Sequence, residues 1–276
     1  MDLNTLVEDA IKEDFPSGDL TTESLSLPPR FGEAHLVAKE DLILSGILPV
    51  EMIVKRIDSK ATIRWNFSEG DFIYNRQVIA VISGNLLQIL RAERVALNFL
   101  GHLSGIATLT GCYAKQVAHT KTKILDTRKT LPGYRQLQKQ AVVHGGGYNH
   151  RMNLSDAILL KENHIQVAGG ITAAVERIRT QTKTDIEVET RNLTEVREAV
   201  SLKVKRIMLD NMDNETMKQA LELIPPAIET EASGNMNLQR VRSVAELGVN
   251  FISVGALTHS APCADISLLF DWENEH

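Results

Sequence analysis

After residue 120 the chain alternates between short β-prone runs and longer helical ones, and this restricts its fold more than any other feature. Strand-like runs fall at 123–126, 157–161, 185–189, 206–210, 227–231 and 250–254. Helix-like runs lie between them at 132–143, 171–180, 193–202, 214–223 and 237–247. Strand–helix units repeated at this pitch predict a parallel sheet, because each return to the same sheet edge needs a crossover helix. Six units leave two main arrangements, an α/β barrel or an open doubly wound sheet. Two details favour the barrel. Polar residues recur at the carboxyl ends of the strands: Arg128 and Lys129, Lys161, Glu189, Asp210, then Ser233. A ring of this kind at the mouth is where barrel enzymes keep their chemistry. The last two units also offer small residues, Ser233-Gly234-Asn235 and Gly255. There, backbone N–H groups can approach a phosphate. No GxGxxG follows any strand, which disfavours a dinucleotide fold.

The first hundred residues read differently. Leu3, Leu6, Val7, Ala10 and Ile11 are at helical spacing, and Pro16-Ser17-Gly18-Asp19 breaks that helix. Short β-prone runs at 34–39, 42–44, 62–67 and 78–82, with one helical run at 49–57, predict an α+β layer. A long apolar helix at 86–103 follows, and Ser104-Gly105 is expected to end or bend it before a helical pattern resumes at 106–117. The expected division is therefore an N-terminal domain, 1–105, and a barrel domain, 106–265.

Charge is unevenly spread. Between Ile124 and Lys161, six Lys or Arg face two acids, a net +4 in a chain whose total is −5. A basic pocket in an acidic protein suits a small, highly charged anion, whereas nucleic acids and membranes need a broad basic face. No uninterrupted apolar run approaches the ~20 residues of a bilayer span. The start of the chain is acidic and lacks a secretory pattern, and the two cysteines, Cys112 and Cys263, are far apart. Both features predict a cytoplasmic protein.

Several constellations carry chemistry, each beside a plainer reading. Arg128 offers a planar fork for a carboxylate and Lys129 a point charge for a phosphate; the plainer reading is a surface salt bridge. His150 and Arg151 follow the triple glycine 145–147, either as ligands or as solvated loop charges. Lys161 ends the apolar run AILL, and its plainer role is partner to Glu162 or Glu187. Glu187 and Glu189 share a strand face. If that face is interior, they need cations nearby, such as Lys161 or a divalent metal; otherwise they form an exposed charged ladder. Asp210 is read as a metal or ribose ligand, or as a helix cap. There is no nucleophile elbow, Walker loop, HExxH or Cys/His cluster. His102, His119, His144, His164, His259 and His276 read as structural or surface residues.

At this point the motifs converge. DTRKT-PG (126–133), GGG-x-NHR (145–151), LLKENHI (159–165), EVE (187–189), LDN (209–211), EASG (231–234) and ISVGALTHSAPxxDISL (252–268) occur in one order, behind GDLTT (18–22) and AERVALNFLGHLSGIAT (92–108). Over nearly its full length the chain resembles the quinolinate phosphoribosyltransferases. The resemblance implies an N-terminal α/β open sandwich, rejoined by the tail at 266–276, and an incomplete C-terminal α/β barrel of seven strands. Only six strand-like runs are legible. It implies phosphoribosyl transfer from phosphoribosyl pyrophosphate (PRPP) to quinolinate with decarboxylation, which gives nicotinate mononucleotide in NAD biosynthesis. It implies Mg2+ and no organic cofactor. It also implies a homodimer, in some members a hexamer, in which Arg94 of the partner subunit completes the site. Arg128 and Arg151 match the carboxylate-gripping arginines, and Thr127, Lys129, His150 and Lys161 line the same pocket. Glu189 and Asp210 match the acids near the ribose and Mg2+, which is held largely through PRPP. Ser233, Gly234, Asn235 and Gly255 match the phosphate loops. Lys129, Lys161, Glu189 and Asp210 are the implied catalytic set. Two positions depart from the pattern: Glu162 replaces the usual Asp, and Asn235 a second Gly. Two rivals stay open, a related pyrophosphorylase for another nitrogen heterocycle and a non-catalytic anion binder.

Overall fold

The computed structural model describes residues 2–270, so Met1 and the end of the expected tail, 271–276, lie outside the described residues. The chain opens with α1 (Leu3–Asp14) and α2 (Leu20–Leu25). Each is started by an aspartate: Asp2 accepts the Thr5 amide, and Asp19 accepts those of Thr21 and Thr22. Such caps satisfy helix-start donors that have no partner within the helix. Part of the GDLTT motif is therefore a helix start. Next come β1 (Phe31–Ala38), β2 (Leu42–Ile43), α3 (Ile47–Ile57), β3 (Thr62–Trp65), β4 (Phe72–Ile73), β5 (Val78–Asn85) and α4 (Leu86–Val117). The alternating part runs β6 (Lys123–Leu125), α5 (Arg135–His144), β7 (Ile158–Leu160), α6 (Glu162–Ala168), α7 (Ile171–Gln181), β8 (Ile186–Thr190) and α8 (Leu193–Ser201). It continues through β9 (Arg206–Asp210), α9 (Asn214–Leu223), β10 (Glu229–Ser233), α10 (Val241–Ala245), β11 (Phe251–Ser253) and α11 (Ala256–His259) to β12 (Ile266–Phe270).

The described residues form two compact units. The first holds the chain up to Gly111, Leu131–Gly146 and the residues from Ser260 on. Its antiparallel sheet has the order β12-β1-β5-β3, while β2 and β4 pair separately. Ala34, Leu36 and Ala38 alternate inward along β1 and are at most 1% exposed, as expected for a strand with one face on a core. Ile53, Ile73, Ile82, Ile89, Phe99 and Leu100 are also fully buried. Each such side chain stabilises the fold by roughly 1.5–3 kcal/mol.

The break expected at Ser104-Gly105 is absent, and α4 is one continuous helix of 32 residues. The small residues there serve close packing. A Cβ on Gly105 would lie 1.9 Å from the Pro262 carbonyl oxygen. Ser104 Oγ accepts the Ser45 amide and donates to the Ser45 carbonyl, both at 3.1 Å. By length and composition α4 could cross a membrane, although polar residues interrupt its apolar runs. Its most apolar window is 67% buried within the protein, as in a core helix.

The second unit holds Cys112–Thr130 and Gly147–His259. Among the described residues its sheet has six parallel strands in the order β6-β11-β10-β9-β8-β7. From β7 to β11 each strand lies beside its predecessor, and β6, the earliest, pairs with the last. The order never reverses, so right-handed crossovers place the helices on one face and the sheet curls. This is barrel topology with a gap between β6 and β7. At the β6 edge, Leu125 makes a single parallel bridge to Tyr148; six strands, not the seven the resemblance implies, are formed among the described residues. Beyond that bridge the loop through His150 and Asn153 forms turns instead of a ladder.

Local boundaries moved for identifiable reasons. β10 starts two residues later than its predicted run, because the Ile228 amide closes a turn on the Pro225 carbonyl. α5 starts at Arg135, three residues later than expected, after a turn from Leu131 to Tyr134. α6 was not predicted: none of its residues is buried, so it has no apolar stripe to detect.

Candidate active site

Within the second unit the carboxyl ends of the strands and the loops that follow surround a cavity of about 800 Å³. Its basic wall comes from three loops. After β6 the chain presents Thr127, Arg128 and Lys129. The Lys129 amide donates to Thr127 Oγ1 at 3.0 Å, and Thr258 Oγ1 donates to the Lys129 carbonyl at 2.7 Å, so this loop is held at two points. His150 and Arg151 follow the Tyr148 bridge, and Lys161 follows β7. An Arg151 guanidinium nitrogen donates to the Ala157 carbonyl at 3.0 Å. Burial, then repulsion from Arg128, lowers the affinity of Arg151 for its proton. Two guanidiniums held this close favour an anion between them.

Glu189 and Asp210, at the carboxyl ends of β8 and β9, also line the cavity. Burial first, and Asp210 second, push the Glu189 carboxyl above the usual range, while Lys161 opposes the rise. Two carboxylates at neighbouring strand ends, with Glu189 resisting ionisation, fit a hard divalent cation with oxygen ligands, such as Mg2+. Asp210 is fixed by its neighbour, since Asn211 Nδ2 donates to Asp210 Oδ2 at 2.6 Å.

Ser233, Gly234, Asn235 and Gly255 line the third side. Asn235 adopts a left-handed φ of 51°, which Asn tolerates better than most residues. Its Nδ2 donates to Asn211 Oδ1 at 3.2 Å, and Arg240 donates to the Gly234 and Met212 carbonyls. The loop with Asn in place of Gly is therefore hydrogen-bonded in a turn conformation. Glu162, the other departure, pairs with Arg191 outside the cavity lining.

Every sequence-predicted site residue lines this one cavity except Arg94, which is exposed on α4. Four further polar residues emerge. His259, read from sequence as structural or surface, is part of the lining, as is Asn211. Glu187 and Glu231 are buried below the acids of the mouth with His150 and Arg206. His150 Nε2 lies 3.3 Å from Glu187 and 3.5 Å from Glu231. Arg206 Nη1 lies 3.2 Å from Glu231, and its guanidinium stacks 4.0 Å from the Phe251 ring. The partners of Glu187 are thus His150 and Arg206, not the Lys161 expected from sequence. The signal for this cluster was present: strand residues 187, 206 and 231 share the inward parity of 189, 210 and 233.

Burial opposes protonation of His150, but the two carboxylates outweigh it and push the imidazole up to about 9. In the neutral ring Nδ1 accepts the Arg151 amide at 2.8 Å and the proton sits on Nε2, facing the carboxylates; protonation of Nδ1 breaks that hydrogen bond. Burial raises Glu187. Burial also opposes ionisation of Glu231, but His150 and Arg206 hold it below the usual range. His150, Glu187 and Glu231 lie close enough to surround a metal. The Arg206 guanidinium already balances these acids, so Glu189 and Asp210 fit a metal better.

Fold and site together define an α/β-barrel protein with a mouth built for small polyanions. Family models for the C-terminal and N-terminal domains of quinolinate phosphoribosyl transferase match residues 106–269 and 19–104. The chain belongs to that family. It is 42% identical to the chloroplastic nicotinate-nucleotide pyrophosphorylase [carboxylating] of Arabidopsis thaliana, over 99% of this chain and 84% of that one. It is 43% identical to a probable nicotinate-nucleotide pyrophosphorylase [carboxylating] of Synechocystis sp., over 94% of this chain and 89% of that one. Among solved structures, the nicotinate-nucleotide pyrophosphorylase of Francisella tularensis superposes with a TM-score of 0.94 at 38% identity, covering 98% of this chain and 96% of that one.

Proposed function

We propose that this chain transfers phosphoribose from PRPP to quinolinate and decarboxylates the product, giving nicotinate mononucleotide, pyrophosphate and CO2. The observation that carries the proposal is one cavity in which Arg128, Lys129, Arg151 and Lys161 face Glu189 and Asp210. Quinolinate brings two carboxylates, which suit the arginine forks, and PRPP brings phosphates, which suit the lysines and the 233–235 and 255 loops. A pure anion binder gains nothing from acids in its pocket, which weighs against that rival.

In the first step the pyridine nitrogen bonds to C1 of the ribose as the C1–pyrophosphate bond breaks. Glu189 and Asp210 face the positive charge that develops on the sugar, and Lys129 and Lys161 the leaving charge. Glu189 and Asp210 are the residues that would hold Mg2+, which would supply further charge to neutralise the leaving group. In the second step the bond from C2 to its carboxylate breaks, CO2 leaves, and C2 takes a proton from water. The positive charge on the ring nitrogen, now a pyridinium, stabilises the electron pair left on C2 until it is protonated. The substrate is its own electron sink, so the chemistry needs no organic cofactor. The protein contributes positioning and preorganised charge.

In this reading the working unit is a homodimer, with hexamers as a further assembly. Residues 1–105 with the C-terminal tail form the domain that covers the partner's barrel mouth, 106–265 the barrel. Arg94, exposed on α4, is then the residue that reaches a neighbouring chain's quinolinate. The two free, exposed cysteines suit a reducing cytoplasm, although the Arabidopsis relative is named chloroplastic. The test is incubation with quinolinate, PRPP and Mg2+, measuring CO2 and nicotinate mononucleotide, with nicotinate as control substrate. A folded preparation that forms neither product from quinolinate refutes the proposal. Turnover of nicotinate alone, or of another nitrogen heterocycle, supports the related-pyrophosphorylase rival.

A further inference from the structure

Three left-handed residues meet where β9 and β10 open into the cavity. Asn211 has a φ of 55°, Gly234 one of 89° and Asn235 one of 51°. Glycine is the unstrained residue in that region, so the two asparagines call for a reason in their side chains. Their amides form a chain. Asn211 Nδ2 donates to Asp210 Oδ2 at 2.6 Å, and Asn235 Nδ2 donates to Asn211 Oδ1 at 3.2 Å. Gly234 leaves room for this chain, since a Cβ there would lie 2.1 Å from Asn211 Oδ1 and 2.5 Å from its amide carbon. The direction of the chain is forced. A carboxylate only accepts, so Asn211 must turn its NH2 toward Asp210 and its oxygen toward Asn235, which must then donate. At one end of the chain is an acid of the cavity, and at the other the loop of Ser233, Gly234 and Asn235.

We propose that Asn211 and Asn235 are positioning residues for the sugar phosphate: their amide chain joins the 233–235 loop to Asp210, so that loop and acid hold one ligand as a unit. The inference rests on the function proposed above and deepens it, since it names the residues that set the span of PRPP from phosphate to sugar ring.

Holding the loop in place does not require this chain. The Asn211 backbone amide already donates to the Ser233 carbonyl at 2.9 Å. The Arg240 guanidinium donates to the carbonyls of Gly234 and Met212. Those bonds join the same two strand ends through backbone acceptors, and none of them reaches Asp210. What the side-chain amides add is the link to the acid. Both asparagines are exposed, so water competes for these bonds until a ligand covers them. An exposed polar bond contributes little to folding. The effect of the chain belongs to binding and not to the melting temperature.

The test is Asn235→Gly, which suits the φ of 51° and removes the amide. Calorimetry without quinolinate gives the Kd values for PRPP with Mg2+, for ribose 5-phosphate and for inorganic phosphate. The first two should rise by about three- to tenfold, the effect of one hydrogen bond in a binding site. The Kd for inorganic phosphate, which is too short to reach the acid, should stay within about twofold, with an unchanged melting temperature. Asn211→Gly, which also suits its φ, should give the same pattern, and the double variant should be within about twofold of the weaker single one, because one chain is cut in either case. If Asn235→Gly does not fold, Asn211→Gly carries the same readouts. Equal rises for all three ligands would show that the amides only shape the loop, and they overturn the proposal. So does an unchanged Kd for PRPP, or effects that add in the double variant. These measurements need no turnover. A parent protein that binds neither sugar phosphate refutes the inference together with the function beneath it; a parent that binds both, beside a variant that loses nothing, refutes the inference alone.

Discussion

Arg206→Ala probes how the charged layer below the mouth is held together. Three contacts dominate the loss, beside a longer approach to Glu187 at 3.9 Å. The first is the pair with Glu231 at 3.2 Å, an acid with no exposure to solvent; removing one partner of such a pair costs about 3–5 kcal/mol, because a buried charge is left behind. The second is the stack on Phe251 at 4.0 Å, about 0.5–1 kcal/mol. The third is the pair with Glu229 at 3.0 Å, where solvent screening leaves less than about 1 kcal/mol. These contributions overlap, so the expected loss is about 3–5 kcal/mol at pH 7. At ~2–4 °C per kcal/mol for a chain of this size, the unfolding midpoint should fall by roughly 10 °C. The loss should also depend on pH. Glu231 is held below its ordinary range in the folded protein. Its stabilisation is therefore present above the unfolded carboxylate pKa and is lost as pH falls through the folded value. The gap between parent and variant should narrow below about pH 4.5. Urea unfolding at pH 7 and pH 4 measures both effects. A loss below about 1 kcal/mol at pH 7, or a gap of the same size at both pH values, would refute the reasoning.

Other outcomes can be stated briefly. Arg128→Ala and Lys161→Ala should each lower kcat/KM for quinolinate by ~10–100-fold or more with an unchanged melting temperature; near-native turnover in either removes that residue from the mechanism. Arg94→Ala and Arg128→Ala proteins, each inactive alone, should regain part of their activity after mixing and subunit exchange, and no recovery argues against a shared site. Gly234→Ala should raise the KM for PRPP, since Gly234 has a φ of 89° and a Cβ there would lie 2.1 Å from Asn211 Oδ1. An unchanged KM would show that this loop does not touch the phosphates.

Much of the site was legible because strand ends are marked twice, once by an apolar run and once by the polar residue that closes it. Arg128, Lys161, Glu189 and Asp210 were found this way, and the structure brings them to one cavity. What escaped was tertiary. Gly105 looked like a helix stop because sequence cannot show the Pro262 carbonyl that requires its missing side chain. His259 looked incidental because α11, a single turn of four residues, carries no periodic signal. Glu231 lies within a motif but shows no role in sequence, because its meaning depends on Arg206 and His150, which lie 25 residues upstream and 81 residues upstream along the chain. Parity placed Glu187 beside Glu189; only the sheet order, with β9 between β8 and β10, revealed the cations waiting for it.

The last described strand has a consequence for how the polypeptide is made. β12 pairs with β1 along five residue pairs, from Ala34 with Phe270 to Ala38 with Ile266. Until the ribosome has released that final stretch, β1 offers bare amides and carbonyls along one side. At ~5–20 residues per second, synthesis from the end of β5 to the end of β12 takes roughly ten to forty seconds. Throughout that interval the nascent sheet has an unpaired margin of the kind that recruits stray strands. Messages cut short before codon 266 should therefore yield aggregates or chaperone clients in place of a free-standing amino-terminal half.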